Sequence, residues 1–315
     1  MNPESCILNP YFARTVTVMQ LLIILGFLFG VMSAFFFALY MLPQKLGKVD
    51  HTTYLWSMGV GVMCTALLAY MLTGCPHAST WPQRGLALIC GLVWGLGTLA
   101  FAAAIQRIGL ALATPFKNTT GIIGTLVGLL IFQEYRVTNP WMVLSGSILI
   151  VAAAIIIGRT GRADTPRQSS AAGIGFALLA AACYASYLYP MKIVVKEIGY
   201  WEFTPWMGAG ILITATIAVL TRRDGVRAFR NYPPRVLASA LLGGVAWTVA
   251  LLSLAASMNL IGLSISWSLA QLNTVPAVFF GILLFHEVHA PTHWRTLTLG
   301  LVAAIVGTIL LGFAK

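Results

Sequence analysis

Charge is what this 315-residue chain has least of: Asp, Glu, Lys and Arg make up 9% of it, against about 25% in a soluble globular domain. Hydrophobic residues make up 59% and the mean hydropathy is +0.87. Water-soluble folds have no way to hide that much apolar surface, so the deficit excludes a soluble domain and points to a polytopic, all-α membrane protein. Acidic residues are scarcer still, 8 against 19 basic ones, leaving a net charge of +11. In a soluble protein that excess would suggest nucleic acid. Here the basic residues sit in short loops between apolar segments, as membrane orientation requires, and a nucleic-acid partner is not expected.

Other absences narrow the mechanism. No Asp or Glu stands in the middle of an apolar span, and His51, His77, His286, His289 and His293 all lie in loops or at span ends. That disfavours a carboxylate-based proton antiport of cationic drugs. There is no GxxxxGK[ST] phosphate loop and no pairing of acids or of His and Cys ligands, so neither ATP-driven transport nor catalysis has its tools. No enzyme activity, metal or cofactor is expected. The five cysteines, Cys6, Cys64, Cys75, Cys90 and Cys183, are odd in number and scattered; they suit reduced thiols rather than a disulfide framework.

What is present is a series of membrane-length apolar runs. A window of about 20 residues marks ten spans, near 21 to 42, 54 to 73, 85 to 105, 109 to 132, 140 to 158, 173 to 192, 204 to 221, 236 to 257, 263 to 285 and 294 to 313. The first is long enough to span and is followed by no small-residue cleavage site, which argues against a signal peptide. Asn139-Pro140 places a capping side chain and then a proline at the start of one span, and Pro291-Thr292 does similar work before the last. Trp141 and Trp294 just inside those starts suit the interfacial belt. The two longest loops are basic: Arg159, Arg162 and Arg167 lie in one, and Arg222, Arg223, Arg227, Arg230 and Arg235 in the other. The positive-inside rule puts these loops in the cytoplasm and both termini outside.

The same pattern is written twice. Trp94 to Trp141 lies without a gap over Trp247 to Trp294, 153 residues on, with 12 of 48 positions identical. Identities include Trp94/Trp247, Ile108-Gly109-Leu110 against Ile261-Gly262-Leu263, Gly128/Gly281, Phe132/Phe285 and Glu134/Glu287; a gapped stretch adds Tyr40/Tyr187, Pro43/Pro190 and Lys45/Lys192. Five spans per copy is an odd number, so the second copy enters the bilayer from the opposite side. The predicted architecture is ten transmembrane helices in two inverted five-helix repeats, residues 1–158 and 159–315, the arrangement that alternating access commonly uses.

Polar groups at mid-membrane are tolerable only beside water or a ligand. Span 4 carries Thr114-Pro115-Phe116-Lys117-Asn118-Thr119-Thr120, and span 9 carries Ser264, Ser266, Trp267, Ser268, Gln271, Asn273 and Thr274 at the matching depth. Asn118 overlies Gln271, and Thr120 overlies Asn273. Helix–helix bridging is the competing use for the hydroxyls; several amides at one depth favour a cavity wall. Pro115 and Pro276 free carbonyls one turn earlier and let these helices bend. Lys117 is a cation in mid-span with no acid at i+3 or i+4, which makes it a functional residue by default, with snorkelling as the rival. Glu134 and Glu287 end spans 4 and 9 and read as binding helix ends of the other repeat. Lys45 and Lys192 read as interfacial charges. Tyr40, Tyr187, Trp94 and Trp247 offer faces on which a sugar ring could stack, core packing being the alternative.

With these residues laid out, the chain resembles the drug/metabolite transporter superfamily in its ten-span, five-plus-five layout. Gly91-Leu92-Val93-Trp94-Gly95-Leu96-Gly97, Leu130-Ile131-Phe132-Gln133-Glu134, Gly243-Gly244-Val245-Ala246-Trp247, Ser268-Leu269-Ala270-Gln271, Leu283-Leu284-Phe285-His286-Glu287 and the closing Gly307 to Lys315 are similar to its bacterial glucose/ribose porter and rhamnose transporter branch. The resemblance implies uptake of a monosaccharide or related polyol across the cytoplasmic (inner) membrane, driven by a proton or sodium gradient or passive, by a monomer or homodimer. Lys117 departs from that pattern, where small or hydroxyl residues are usual, and leaves an anionic or modified substrate open. The substrate site would comprise Lys117, Asn118, Thr119, Thr120, Gln271, Asn273, Trp94, Trp247, Tyr40 and Tyr187, in a central cavity lined by spans 1, 3, 4, 6, 8 and 9. Two rivals stand beside this reading: an exporter of small metabolites such as amino acids or amphipathic amines, and a non-transporting membrane scaffold.

Overall fold

In hydrocarbon every backbone N–H and C=O must be satisfied within the protein, which leaves an apolar chain of this kind to form helices. The computed structural model describes residues 10–74, 79–108, 113, 116–158, 171–285 and 290–315, and the regular elements among them are all helical. In chain order they are α1 (Pro10–Leu39), the short α2 (Leu42–Gly47), α3 (His51–Leu72), α4 (Trp81–Ile108), α5 (Thr120–Leu126), α6 (Pro140–Gly158), α7 (Ala171–Ser186), α8 (Leu188–Leu220), α9 (Pro234–Ile261), α10 (Leu263–Ala270), α11 (Thr274–Phe285) and α12 (Ala290–Phe313). A multi-pass membrane protein results. The basic loop with Arg159, Arg162 and Arg167, the Gly109-Leu110 turn, Thr114-Pro115 and Glu287 lie outside the described residues.

The sequence predicts ten separate spans; among the described residues, 7 helical stretches are long and apolar enough to cross a bilayer. Two features of the described helices depart from that expectation. The predicted loop between 192 and 204 does not form. Helix runs from Ala171 to Leu220 with one-residue punctuation at Tyr187 and a corner at Gly199, whose φ of 76° and ψ of 160° only glycine adopts at little cost. The run predicted at 263 to 285 is interrupted where its amides fall, and the described part of the run predicted at 109 to 132 changes form beyond its polar residues. After α5 the backbone loosens into a π-helical turn at Val127–Ile131. Between α10 and α11 it tightens into a 3₁₀ turn at Gln271–Asn273, one turn before Pro276, whose missing N–H breaks the ladder there.

The expected cap at Asn139 forms, and Asp50 supplies another that the sequence reading did not name. Asn139 Oδ1 accepts from the Trp141 and Met142 amides at 3.1 and 3.3 Å, starting α6. Asp50 Oδ1 accepts from the Thr52 and Thr53 amides, both at 3.1 Å, starting α3. Asp50 also pairs with Arg222, which chelates Asp224 at 2.8 and 2.9 Å, so the described basic loop is tied to the α2–α3 corner. Trp141 and Trp294 are exposed, as interfacial anchors should be.

The two halves of the chain interleave. α1 packs on α9, α4 on α7 and α8, and α3 on both α8 and α9, while α6 pairs with α12. Close crossings depend on small residues, since van der Waals contact rather than hydrophobicity drives association in lipid. At the α3–α9 crossing a Cβ on Gly244 would press into the Met58 carbonyl and the Val62 amide. Polar bridges add register: Thr125, Ser147 and Ser268 form a buried hydroxyl triangle with sides of 2.6 to 3.1 Å that joins α5, α6 and α10.

Candidate functional site

A partly open cavity lies at the centre of this packing. Its walls come from spans 1, 3, 4, 6, 8 and 9. Phe37 of α1 and Tyr40 just beyond it form one side, and Trp94 and Phe101 of α4 another. Lys117 and Thr120, then Tyr184 and Tyr187, Trp247 of α9, and Trp267, Ala270, Gln271 and Asn273 of the α10–α11 break complete it. Eight of the ten residues expected at a site therefore meet here. Asn118 and Thr119 are not wall residues: Asn118 is buried behind it, and the Thr119 hydroxyl donates to the Phe116 carbonyl at 2.7 Å. Helical geometry separates them, because residues one and two positions apart do not share a face.

The aromatic part is one connected cluster. Trp94 sits at its centre, with ring centroids 4.9 Å from Trp247, 6.1 Å from Tyr184 and 6.5 Å from Tyr40; Tyr187 and Trp267 meet at 6.2 Å. Edge-to-face packing of this kind fixes the rings by their quadrupoles as well as by buried area. Two hydrogen bonds hold the wall in place: Trp267 Nε1 donates to the Thr120 carbonyl at 2.9 Å, and Thr98 Oγ1 meets Tyr184 Oη at 3.0 Å. Phe37, Phe101 and Tyr184 escape the sequence reading because nothing distinguishes them from apolar span residues; their depth relative to Trp94 is a property of the packing.

Polar atoms in the wall are left without protein partners. Thr120 Oγ1 and Trp247 Nε1 are buried and unbonded, as is Asn118 Nδ2 behind them. A buried donor without a partner costs about 1–3 kcal/mol, and a native fold carries few such groups unless a ligand or water meets them. The Gln271 side chain lies against Gly121 of α5, with its Nε2 only 3.5 Å from the Trp267 carbonyl. Lys117 Nζ stands 5.7 Å from the Phe101 ring centroid.

The described acids lie outside the cavity, and Glu134 and Glu202 hold helices together. Glu134 accepts from the Leu263 amide at 2.7 Å and the Ser264 amide at 2.9 Å, takes the Ser264 hydroxyl, and pairs with Lys192, whose ammonium lies 4.3 Å from the Phe132 ring. A residue from the first half thus caps α10 in the second, with the anion at a positive helix end. Gly262, at φ 92°, makes room for it: a Cβ there would stand 3.1 Å from the carboxylate. Lys192, expected as an interfacial charge, is a partner in this clasp. Glu202 is a correction of another kind. It falls in a predicted loop, yet it is 2% exposed on the second arm of α8, bonded to Ser79 and 3.6 Å from Arg84. The Gly199 corner draws it inward.

Comparison with known proteins adds the family. The Sugar transport protein family model matches residues 17–160 and 158–314. Three relatives are each named "Putative sugar uptake protein". The one from Listeria innocua is 23% identical over 73% of this chain and 79% of its own. That from Streptococcus agalactiae is 23% identical over 85% and 91%, and one from Listeria monocytogenes is 26% identical over 87% and 94%. A protein of known crystal structure superimposes on 91% of this chain and 98% of its own with a TM-score of 0.72 at 12% identity, a likeness of fold alone. With family matches running from residue 17 to residue 314 across an all-helical membrane fold, the chain belongs to the Sugar transport protein family.

Proposed function

We propose that this protein is a secondary transporter that takes up a monosaccharide or related polyol across the cytoplasmic membrane by alternating access, with no enzymatic activity of its own. Its ten spans form two inverted five-helix repeats divided near residue 158, in the manner of the drug/metabolite transporters. The observation that carries this reading is the central cavity: an aromatic wall able to stack on a sugar ring, beside amides and unpartnered donors able to bond hydroxyls, framed by helices of both halves. Trp94 and Trp247 hold the ring face, and Gln271, Asn273 and Thr120 bond its hydroxyls. Asn118 and Thr119 set the shape of the wall from behind. Transport is driven by a proton or sodium gradient or is passive, in a monomer or homodimer.

Uptake of a panel of labelled monosaccharides into cells expressing the protein or its Gln271→Ala form, with and without an uncoupler, tests this. Saturable uptake that is lost in the variant is expected, and collapse by the uncoupler identifies ion coupling. Uptake of none of the panel sinks the proposal.

A further inference from the structure

The cavity's balance of donors and charge goes further than its shape. Of its thirteen described wall residues one is ionisable to a cation, Lys117, and none is an acid. Nor do the described carboxylates elsewhere supply a counter-ion. Asp50 and Asp224 are taken by Arg222, Glu134 by Lys192, Glu202 by Arg84 and Ser79, and Glu197 accepts from Gln83 at 2.8 Å. Lys117 has instead the face of Phe101 at 5.7 Å, which tolerates a cation without neutralising it. Two of its polar groups have the same bias. An ammonium and an indole N–H only donate, and the Trp247 Nε1 is buried with no partner, while the equally unpartnered Thr120 hydroxyl can donate or accept. A neutral sugar offers each hydroxyl as donor and acceptor alike and would leave the Lys117 charge in place. A site with one cation that no described carboxylate neutralises and an unpartnered indole donor is complementary to a ligand with one negative charge and acceptors to meet them.

Resting on the sugar-carrier reading, we infer that the cargo is a sugar acid, a hexuronate or aldonate whose carboxylate pairs with Lys117 while its ring or polyol chain lies on Trp94 and Trp247. A single lysine sets a single charge, so a dianionic sugar phosphate would arrive with one charge unmatched in a low-dielectric site and is excluded. The hydroxyls of the cargo reach Gln271 and Asn273, so a simple carboxylate of the same charge, lacking them, binds poorly.

The purified protein in proteoliposomes decides the matter. Counterflow of labelled glucuronate and of labelled glucose is measured against unlabelled glucuronate, gluconate, glucose, glucose 6-phosphate and lactate, for the wild type, Lys117→Met and Lys117→Arg. The expected result is half-inhibition by glucuronate or gluconate at concentrations about ten- to a hundredfold below those of glucose, the weight of one charge-assisted hydrogen bond. Lys117→Met abolishes that preference, and Lys117→Arg retains most of it. Equal affinity for glucose and glucuronate in the wild type, or preference for glucose 6-phosphate, overturns the inference and leaves the sugar carrier standing. Counterflow of neither sugar nor sugar acid overturns both. The wild-type competition stands by itself if either variant misfolds.

Discussion

At the scale of single residues, the described ion pairs work as structure. Glu134 is the clearest case, because it joins a lysine on α8, two amides of α10 and a serine hydroxyl in one buried knot. Replacing it with Ala strands the Lys192 ammonium and two helix-end amides, and breaking a buried pair from one side costs about 3–5 kcal/mol. We expect Glu134→Ala to lower the melting temperature in detergent sharply. Lys192→Met in the same chain should recover part of the loss; a double variant no better than the single would show that the amides alone set the cost. Asp50 works the same way at the edge of the membrane. Burial pushes its carboxyl up, but hydrogen bonds from Thr53 and the Arg222 guanidinium outweigh that and hold it below its ordinary 3.8. A carboxyl depressed in the folded state stabilises above its unfolded value, and that stability is lost as pH falls through the folded one. Thermal melts between pH 7 and pH 3 should therefore fall below about pH 4 in the wild type. In Asp50→Asn, which keeps the cap and not the charge, the acid limb should be shallower.

Among elements, the interrupted run from α10 to α11 stands apart, because Gln271 and Asn273 sit at the 3₁₀ turn that breaks it. Pro276 maintains the break. Pro276→Ala restores a ladder hydrogen bond, so the variant should bind its cargo with unchanged affinity yet turn over several-fold more slowly, a split that equilibrium binding and initial-rate uptake measured side by side will reveal. This break was legible: a proline three residues after the amide-rich stretch Gln271 to Asn273 marks it in an apolar run. The clustering of Lys117, Thr120, Gln271 and Asn273 was legible too, from two polar patches at equal depth in two copies of one pattern. The Gly199 corner was not. A lone glycine in a polar stretch reads as part of a loop, and only the packing of α8 against α3 and α4 shows helix on both sides of it. Glu202 was missed for the same reason, its burial being decided by that corner. Asn118 and Thr119 are the converse case, polar at the right depth but turned from the cavity by helical phase.

For the molecule as a whole, the halves are mutually dependent. Helices of residues 1–158 find their principal partners among those of 159–315, α1 on α9 and α4 on α7 and α8. Expressed separately, each half should be degraded; expressed together from two genes, they should co-purify and restore uptake. Recovery of a stable, monodisperse single half would contradict the interleaving. The same interleaving gathers three of the chain's nine tryptophans, Trp94, Trp247 and Trp267, around one cavity, two of them with rings 4.9 Å apart. Indole emission responds to polarity and to neighbouring rings over such distances, and the exposed Trp81, Trp141 and Trp294 face the surroundings instead. The protein thus carries a built-in optical reporter. A ligand settling between those rings shifts and quenches their light, and a titration cuvette with unlabelled protein suffices to watch the site fill.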